Sequence, residues 1–232
     1  MNDLFQGFIQ AFELIFSFSP ALYEVIWLSL LIAGVSLLCS SLVGIPLGAF
    51  LGLKRFPGRR LMMALLYTGM GFPPVVIGLF VYLMFSRSGP FGALGWLFTP
   101  RAMSVAQTII AFPLVAGFTM AAVMSVNPNL RQQLRALGAT DWQATMAILM
   151  EARVGVIVSM AAGFGAVISE VGAVMLTGGN IAGKTRTLTS AIILETQKGN
   201  FDLAIALGII LLILAFCTNL AMTHLQGRDI NR

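Results

Sequence analysis

Five runs of apolar residues, each long enough to cross a lipid bilayer, constrain this chain more than any other feature. They cover 25–53, 61–85, 102–126, 154–176 and 203–224, and a helix needs about 20 such residues to span the hydrocarbon core. The runs are continuous and not alternating, which predicts helices and excludes the strands of a barrel. Only 10% of the residues are charged and 58% are hydrophobic, against about 25% charged in soluble domains. The chain is therefore expected to be an all-α integral membrane protein, a single domain over 1–232. A shorter run sets Leu4, Phe5, Phe8, Ile9, Phe12, Ile15 and Phe16 on one helical face. That pattern predicts an interfacial helix within 1–20, lying on the membrane and not crossing it.

The net charge of +5 does not point to nucleic acid, because the basic residues sit at the ends of the apolar runs. There they orient the chain. Lys and Arg number zero before the first run, then four, two, three and three in the successive loops, and two in the tail. An outside N-terminus puts 4 + 3 + 2 = 9 of them inside and 5 outside, as the positive-inside rule prefers. The C-terminus and segment 127–151 are then cytoplasmic. Asp3 and Glu13 replace the basic start of a cleavable signal, so none is expected. The single histidine, His224, supports neither a metal cluster nor a catalytic triad, and no metal site is assigned. Cys39 and Cys217 lie inside apolar runs and suggest no disulfide framework.

The runs differ in kind. Pro46 lies in the first, Pro73 and Pro74 with Gly71 and Gly78 in the second, and Pro113 in the third. Proline frees backbone carbonyls that lipid cannot satisfy, so Pro73 and Pro74 either shape a packed bundle or line a wet pathway. The fourth run carries Ala161, Ala162, Gly163, Gly165, Ala166 and Gly172, small residues that let helices approach closely. The fifth, rich in Leu and Ile, reads as lipid-facing. Glu170 is the one acidic residue well inside a run. A charge near the bilayer centre costs about 2.5–3.5 kcal/mol, so Glu170 is either a pathway residue or a structural carboxylate bonded to backbone or to Arg186. No internal repeat is visible, which argues against a carrier built from two inverted halves.

Segment 127–151 is polar and amphipathic. Leu130, Leu134 and Leu137 share one helical face, Gly138-Ala139 interrupts it, and Trp142, Met146 and Leu149 begin a second. A helix–turn–helix of this length outside the lipid is longer than a connector needs and predicts a docking element. Residues 178–185, Gly-Gly-Asn-Ile-Ala-Gly-Lys-Thr, satisfy the phosphate-cradling pattern G-x-x-x-x-G-K-T. A true cradle follows a strand and opens a helix. Here the match follows a membrane run on the outer side, so nucleotide binding is not expected. Lys184 and Arg186 could instead attract anions to an extracytoplasmic mouth.

Leu137-Gly138-Ala139-Thr140, with Ile148 ten residues beyond the glycine, resembles the cytoplasmic EAA loop of ABC-importer permeases. The sequence departs from that pattern at Gln132-Gln133-Leu134, where the family has Glu-Ala-Ala, and at Met150-Glu151, where it has Leu-Pro. Gly71-Phe-Pro-Pro-Val-Val-Ile-Gly-Leu79 with Ser86-Arg-Ser-Gly-Pro90 is similar to tungstate-type permeases. So are Ser169 to Arg186 and Leu194 to Asp202. Ser169-Glu-Val-Gly-Ala173 also resembles an element of molybdate permeases. The resemblance implies a type I permease fold acting as a homodimer. It implies two cytoplasmic ATPase subunits that hold ATP and Mg, and an extracytoplasmic oxyanion-binding protein. This subunit would carry no cofactor and no catalytic residue. Leu130, Arg131, Gln132, Leu134, Arg135, Leu137, Gly138, Ala139, Thr140 and Asp141 would couple it to the ATPase. Ser169, Thr177, Thr108 and Asn180 would offer hydrogen-bond donors to tungstate. Molybdate or another oxyanion remains an alternative cargo, and a stand-alone channel or carrier an alternative class.

Overall fold

The longest helix among the described residues, α1, runs over Pro20–Leu53 and rises about 51 Å at 1.5 Å per residue. Serines survive inside it because their hydroxyls bond within the helix: Ser29 donates to Val25 O and Ser36 to Ile32 O, both at 2.7 Å. The computed structural model describes residues 9, 12, 13 and 20–230, and all secondary structure described there is helical. The expected interfacial helix over 4–18 lies mostly outside the described residues; Ile9 and Phe12 are exposed.

Over residues 20–230 the α-helices are α1, then α2 (Arg59–Met70), α3 (Pro74–Phe85), α4 (Pro100–Ser125), α5 (Pro128–Ala136) and α6 (Asp141–Glu151). After these come α7 (Arg153–Ile168), α8 (Gly172–Gly178), α9 (Leu188–Gln197) and α10 (Phe201–Ile230). The hub is α4, which packs on α1, α2, α3, α7 and α8. Its contact with α1 is the largest in the molecule, and the reason is a ridge of small residues at every fourth position of α1. A Cβ on Gly48 would lie 2.3 Å from the Ala116 carbonyl, and one on Gly52 2.8 Å from Val123. Ser36, earlier on the same ridge, donates to Ser104 O of α4 at 3.1 Å. Backbones this close exclude lipid by shape alone. Ala33, Leu37, Ala111, Val115, Phe164, Val167 and Ile168 then fill the core between α1, α4 and α7.

Two expected spans are corrected. The run 61–85 is not one straight helix: α2 and α3 meet at 98°. Gly71, Phe72 and Pro73 form the break, since Pro73 and Pro74 cannot donate to the preceding turn. The run 154–176 is also divided. Its first part, α7, ends at Ile168 after 16 residues, which rise only about 24 Å, and α8 starts afresh at Gly172. One helix was not foreseen. α9 begins with a Thr187–Ser190 capping box and is fastened to α1 by Leu188 N donating to Ser29 Oγ at 2.9 Å. The last run is a single helix, α10, which leaves Leu212, Ile213, Phe216 and Leu220 exposed.

Candidate coupling hairpin and translocation cavity

α5 and α6 fold into a hairpin at one end of the bundle, and each turn of it has a chemical reason. The Asn127 side chain caps α5 by accepting from Asn129 N at 2.9 Å. Pro128 stands at the first helical position, where no N–H is missed. The helix ends at Leu137, and Gly138 takes φ 87°, a conformation that favours glycine. Thr140 then starts α6 with a full capping box, its hydroxyl accepting from Gln143 N while Gln143 Oε1 accepts from Thr140 N. Across the turn, the Asp141 carboxylate is shared by Arg135 and Arg131, the latter at 3.2 Å. These guanidinium groups, Arg135 before Arg131, hold the Asp141 carboxyl below its usual range. The clamp is therefore charged above the ordinary carboxylate pKa and is lost only as pH falls through the lowered value.

The two expected faces of the hairpin need correction. Leu130 and Leu134 are half-buried, but Leu137 is 85% exposed because it caps the helix and does not continue it. On α6 the buried pair is Ala144 and Ile148, and Ile148 packs with Ala49, Val123 and Ala152. Trp142 is 68% exposed. The restart at Thr140 sets a new helical phase, and that phase turns Trp142 outward. Leu137 and Trp142 thus stand as apolar knobs flanking the turn, with Gln132 and Arg135 also exposed.

The second site is a cavity of about 420 Å³ at the two helix breaks. Pro73, Pro74, Ser169 and Glu170 line it, with Phe72 and Ile109 among the apolar walls. Thr108, Thr177 and Asn180 do not. Thr108, Ser169 and Thr177 each donate to a carbonyl four residues back at 2.7 Å, so their hydroxyl protons are already engaged. Asn180 lies beyond α8, bonded to Ser190 and Arg186. Glu170 sits in the break itself and not within a span: its Oε1 accepts from Ala173 N at 2.6 Å, capping α8. Arg186 turns to Asn180 Oδ1 at 3.3 Å. Two donors that sequence reasoning missed also serve this break. Gln107, buried in α4, donates to Val167 O at 2.9 Å, and Thr189 donates to Glu170 O at 3.0 Å. Broken backbone at membrane depth needs such partners.

Segment 178–185 is a closed turn. The Ile181 carbonyl accepts from the amides of Lys184, Thr185 and Arg186, and the buried Thr185 hydroxyl donates to Gly178 O at 2.6 Å. A helix precedes it and α9 starts only at Leu188. Those amides do not face outward as a phosphate cradle requires. Lys184 is exposed, while Arg186 is half-buried beside Asn180, so the expected pair at the mouth is divided.

Comparisons with known proteins agree with this architecture. The chain is 37% identical over 226 residues to the "Tungstate uptake system permease protein TupB" of Peptoclostridium acidaminophilum, covering 97% of this chain and 99% of that protein. It is 40% identical over 209 residues to a "Probable anion ABC transporter permease protein" of Haloferax volcanii, covering 88% and 90%. Its fold superposes on an inward-facing structure of the MetNI methionine ABC transporter with a TM-score of 0.73, at 21% identity, over 88% of this chain and 94% of that one. Residues 44–228 match the family described as "Binding-protein-dependent transport system inner membrane component", and this multi-pass, all-helical membrane chain belongs to that family.

Proposed function

We propose that this chain is the membrane-spanning subunit of an ATP-driven importer for tungstate, with no chemistry of its own. The observation that carries the reading is the identity to a tungstate permease along nearly the whole chain. The α5–α6 hairpin supports it, because a rigid, clamped turn with exposed Leu137 and Trp142 suits a partner's groove. On this reading one permease domain fills the chain, and two copies form the pathway. Two ATPase subunits holding ATP and Mg grip the hairpins from the cytoplasm, and an extracytoplasmic protein delivers the anion. Closure of the ATPases would push on each hairpin and exchange the pathway between two discrete packings. The breaks at 71–73 and 169–171 are where helix segments could tilt without unwinding. Glu170, spent on capping α8, is a structural carboxylate in this scheme, and Lys184 raises the local anion concentration at the mouth.

The test is reconstitution of the complex with its ATPase and binding protein in lipid vesicles. ATP hydrolysis should be stimulated by tungstate at lower concentration than by molybdate or sulfate. Equal stimulation by sulfate would overturn the cargo assignment, and hydrolysis indifferent to every oxyanion would overturn the importer reading.

A further inference from the structure

Arg59 and Arg131 reach the same turn of the fold from distant parts of the chain. Arg59 Nε donates to Leu51 O at 2.7 Å and Arg131 Nη1 to Leu53 O at 3.4 Å. Both carbonyls belong to the last turn of α1 and lack a partner within the helix, so each arginine is first a C-terminal cap. Capping does not exhaust them. A guanidinium has about five N–H donors, and the bonds formed use two on each. Arg59 Nη2 faces Met124 Sδ, and Arg131 Nη2 faces Asp141. Arg131 Nε is buried with no partner.

These side chains line a cavity of about 290 Å³ between the ends of α1 and α4 and the start of α5. Arg55 lines it too, exposed and without an ion pair among the described residues. Asn127 and Pro128 bring the N-terminal end of α5, whose partial charge is positive, to the same wall. No acidic residue lines the cavity. Asp141, the carboxylate that Arg131 meets, is already shared between Arg131 and Arg135. Three guanidinium groups facing one space repel each other unless an anion sits among them. The fork of arginine donors fits the oxygens of phosphate-like groups best.

We propose that this cavity is an oxyanion site, which takes a tetrahedral dianion from solution or the phosphate of an anionic phospholipid. The bound group would bridge the turn after α1 to the root of α5 and fasten the hairpin to the bundle. The inference goes beyond the transport reading and does not depend on the cargo.

The full-length chain in nanodiscs of phosphatidylcholine alone would be titrated with inorganic phosphate, with chloride at matched ionic strength as reference. Saturable binding of phosphate with a rise in melting temperature is the expected result for a free anion. For a headgroup, phosphate adds nothing, but replacing part of the lipid with phosphatidylglycerol raises the melting temperature. In either arm Arg55→Gln should weaken the effect about tenfold, the loss of one charge-assisted contact. Arg60→Gln, outside this lining, should leave it within about twofold. Arg55 is exposed, so its variant tests the site without disturbing the α1 cap. No response to phosphate or phosphatidylglycerol would overturn the proposal. So would equal weakening by Arg60→Gln, the sign of diffuse surface charge.

Discussion

Gln107 shows how one side chain makes a broken membrane helix possible. Ending α7 at Ile168 leaves the Val167 carbonyl only a long turn bond from Glu170 N at 3.3 Å, and the Gln107 amide reaches it at 2.9 Å from a position 4% exposed. Its own Oε1 is left without a partner, a cost the fold accepts to keep the break. Gln107→Leu fills similar space but removes the better donor and leaves that carbonyl the Glu170 N bond alone. The expected loss is about 0.5–1.5 kcal/mol, the net worth of one hydrogen bond, read as a lower melting temperature in detergent. A variant as stable as the parent would mean that the carbonyl finds another donor. In the sequence Gln107 stands out as a polar residue inside an apolar run. Its partner lies sixty residues away, and nothing in local pattern points there. Glu170 was legible in the same half-measure: a lone acid in a run must be bonded to something, but only the fold names the Ala173 amide.

At the scale of elements, the apolar runs announced most of the helices but not their directions. Hydropathy is blind to a bend, so α2 and α3 read as one span although Gly71 and Pro73-Pro74 mark the place where they turn through 98°. α9 escaped because Leu188–Gln197 mixes polar and apolar residues over only ten positions. The hairpin's turn was legible from Gly138. Its outward residues were not, because the new phase begins at the Thr140 cap.

Three glycines test these elements in different ways. A methyl on Gly48 would meet the Ala116 backbone at 2.3 Å, so Gly48→Ala should push α1 from α4 and cost about 1–3 kcal/mol. Gly34→Ala, in the same helix with nothing within 4 Å, should leave the melting temperature unchanged or raise it. At Gly138 a Cβ meets nothing, and only the left-handed backbone resists, by about 1–2 kcal/mol. Gly138→Val should leave membrane insertion intact and uncouple uptake from ATP hydrolysis, whereas Gly138→Asn, tolerant of that conformation, should stay coupled. Normal uptake by the valine variant would remove the hairpin from the coupling role.

For the whole molecule, orientation decides what each site can meet. The excess of basic residues around α1–α2 and the hairpin predicts that this end is cytoplasmic. In a background lacking Cys39 and Cys217, an impermeant thiol reagent added to intact cells should label Ser88→Cys and spare Gln132→Cys. The opposite pattern would put the hairpin out of reach of any ATPase. The central place of α4 also has a consequence for biosynthesis. The ridge on α1 and the apolar face of α2 find their partner in a helix that starts at Pro100, and the buried side of α3 is shared between that helix and the later α8. A ribosome must therefore deliver α1, α2 and α3 before any of them has this partner to close upon. Until then the serines and glycines of α1 face lipid or the insertion machinery. Assembly of this protein is a late event, set by the third apolar run to leave the ribosome and not by the first.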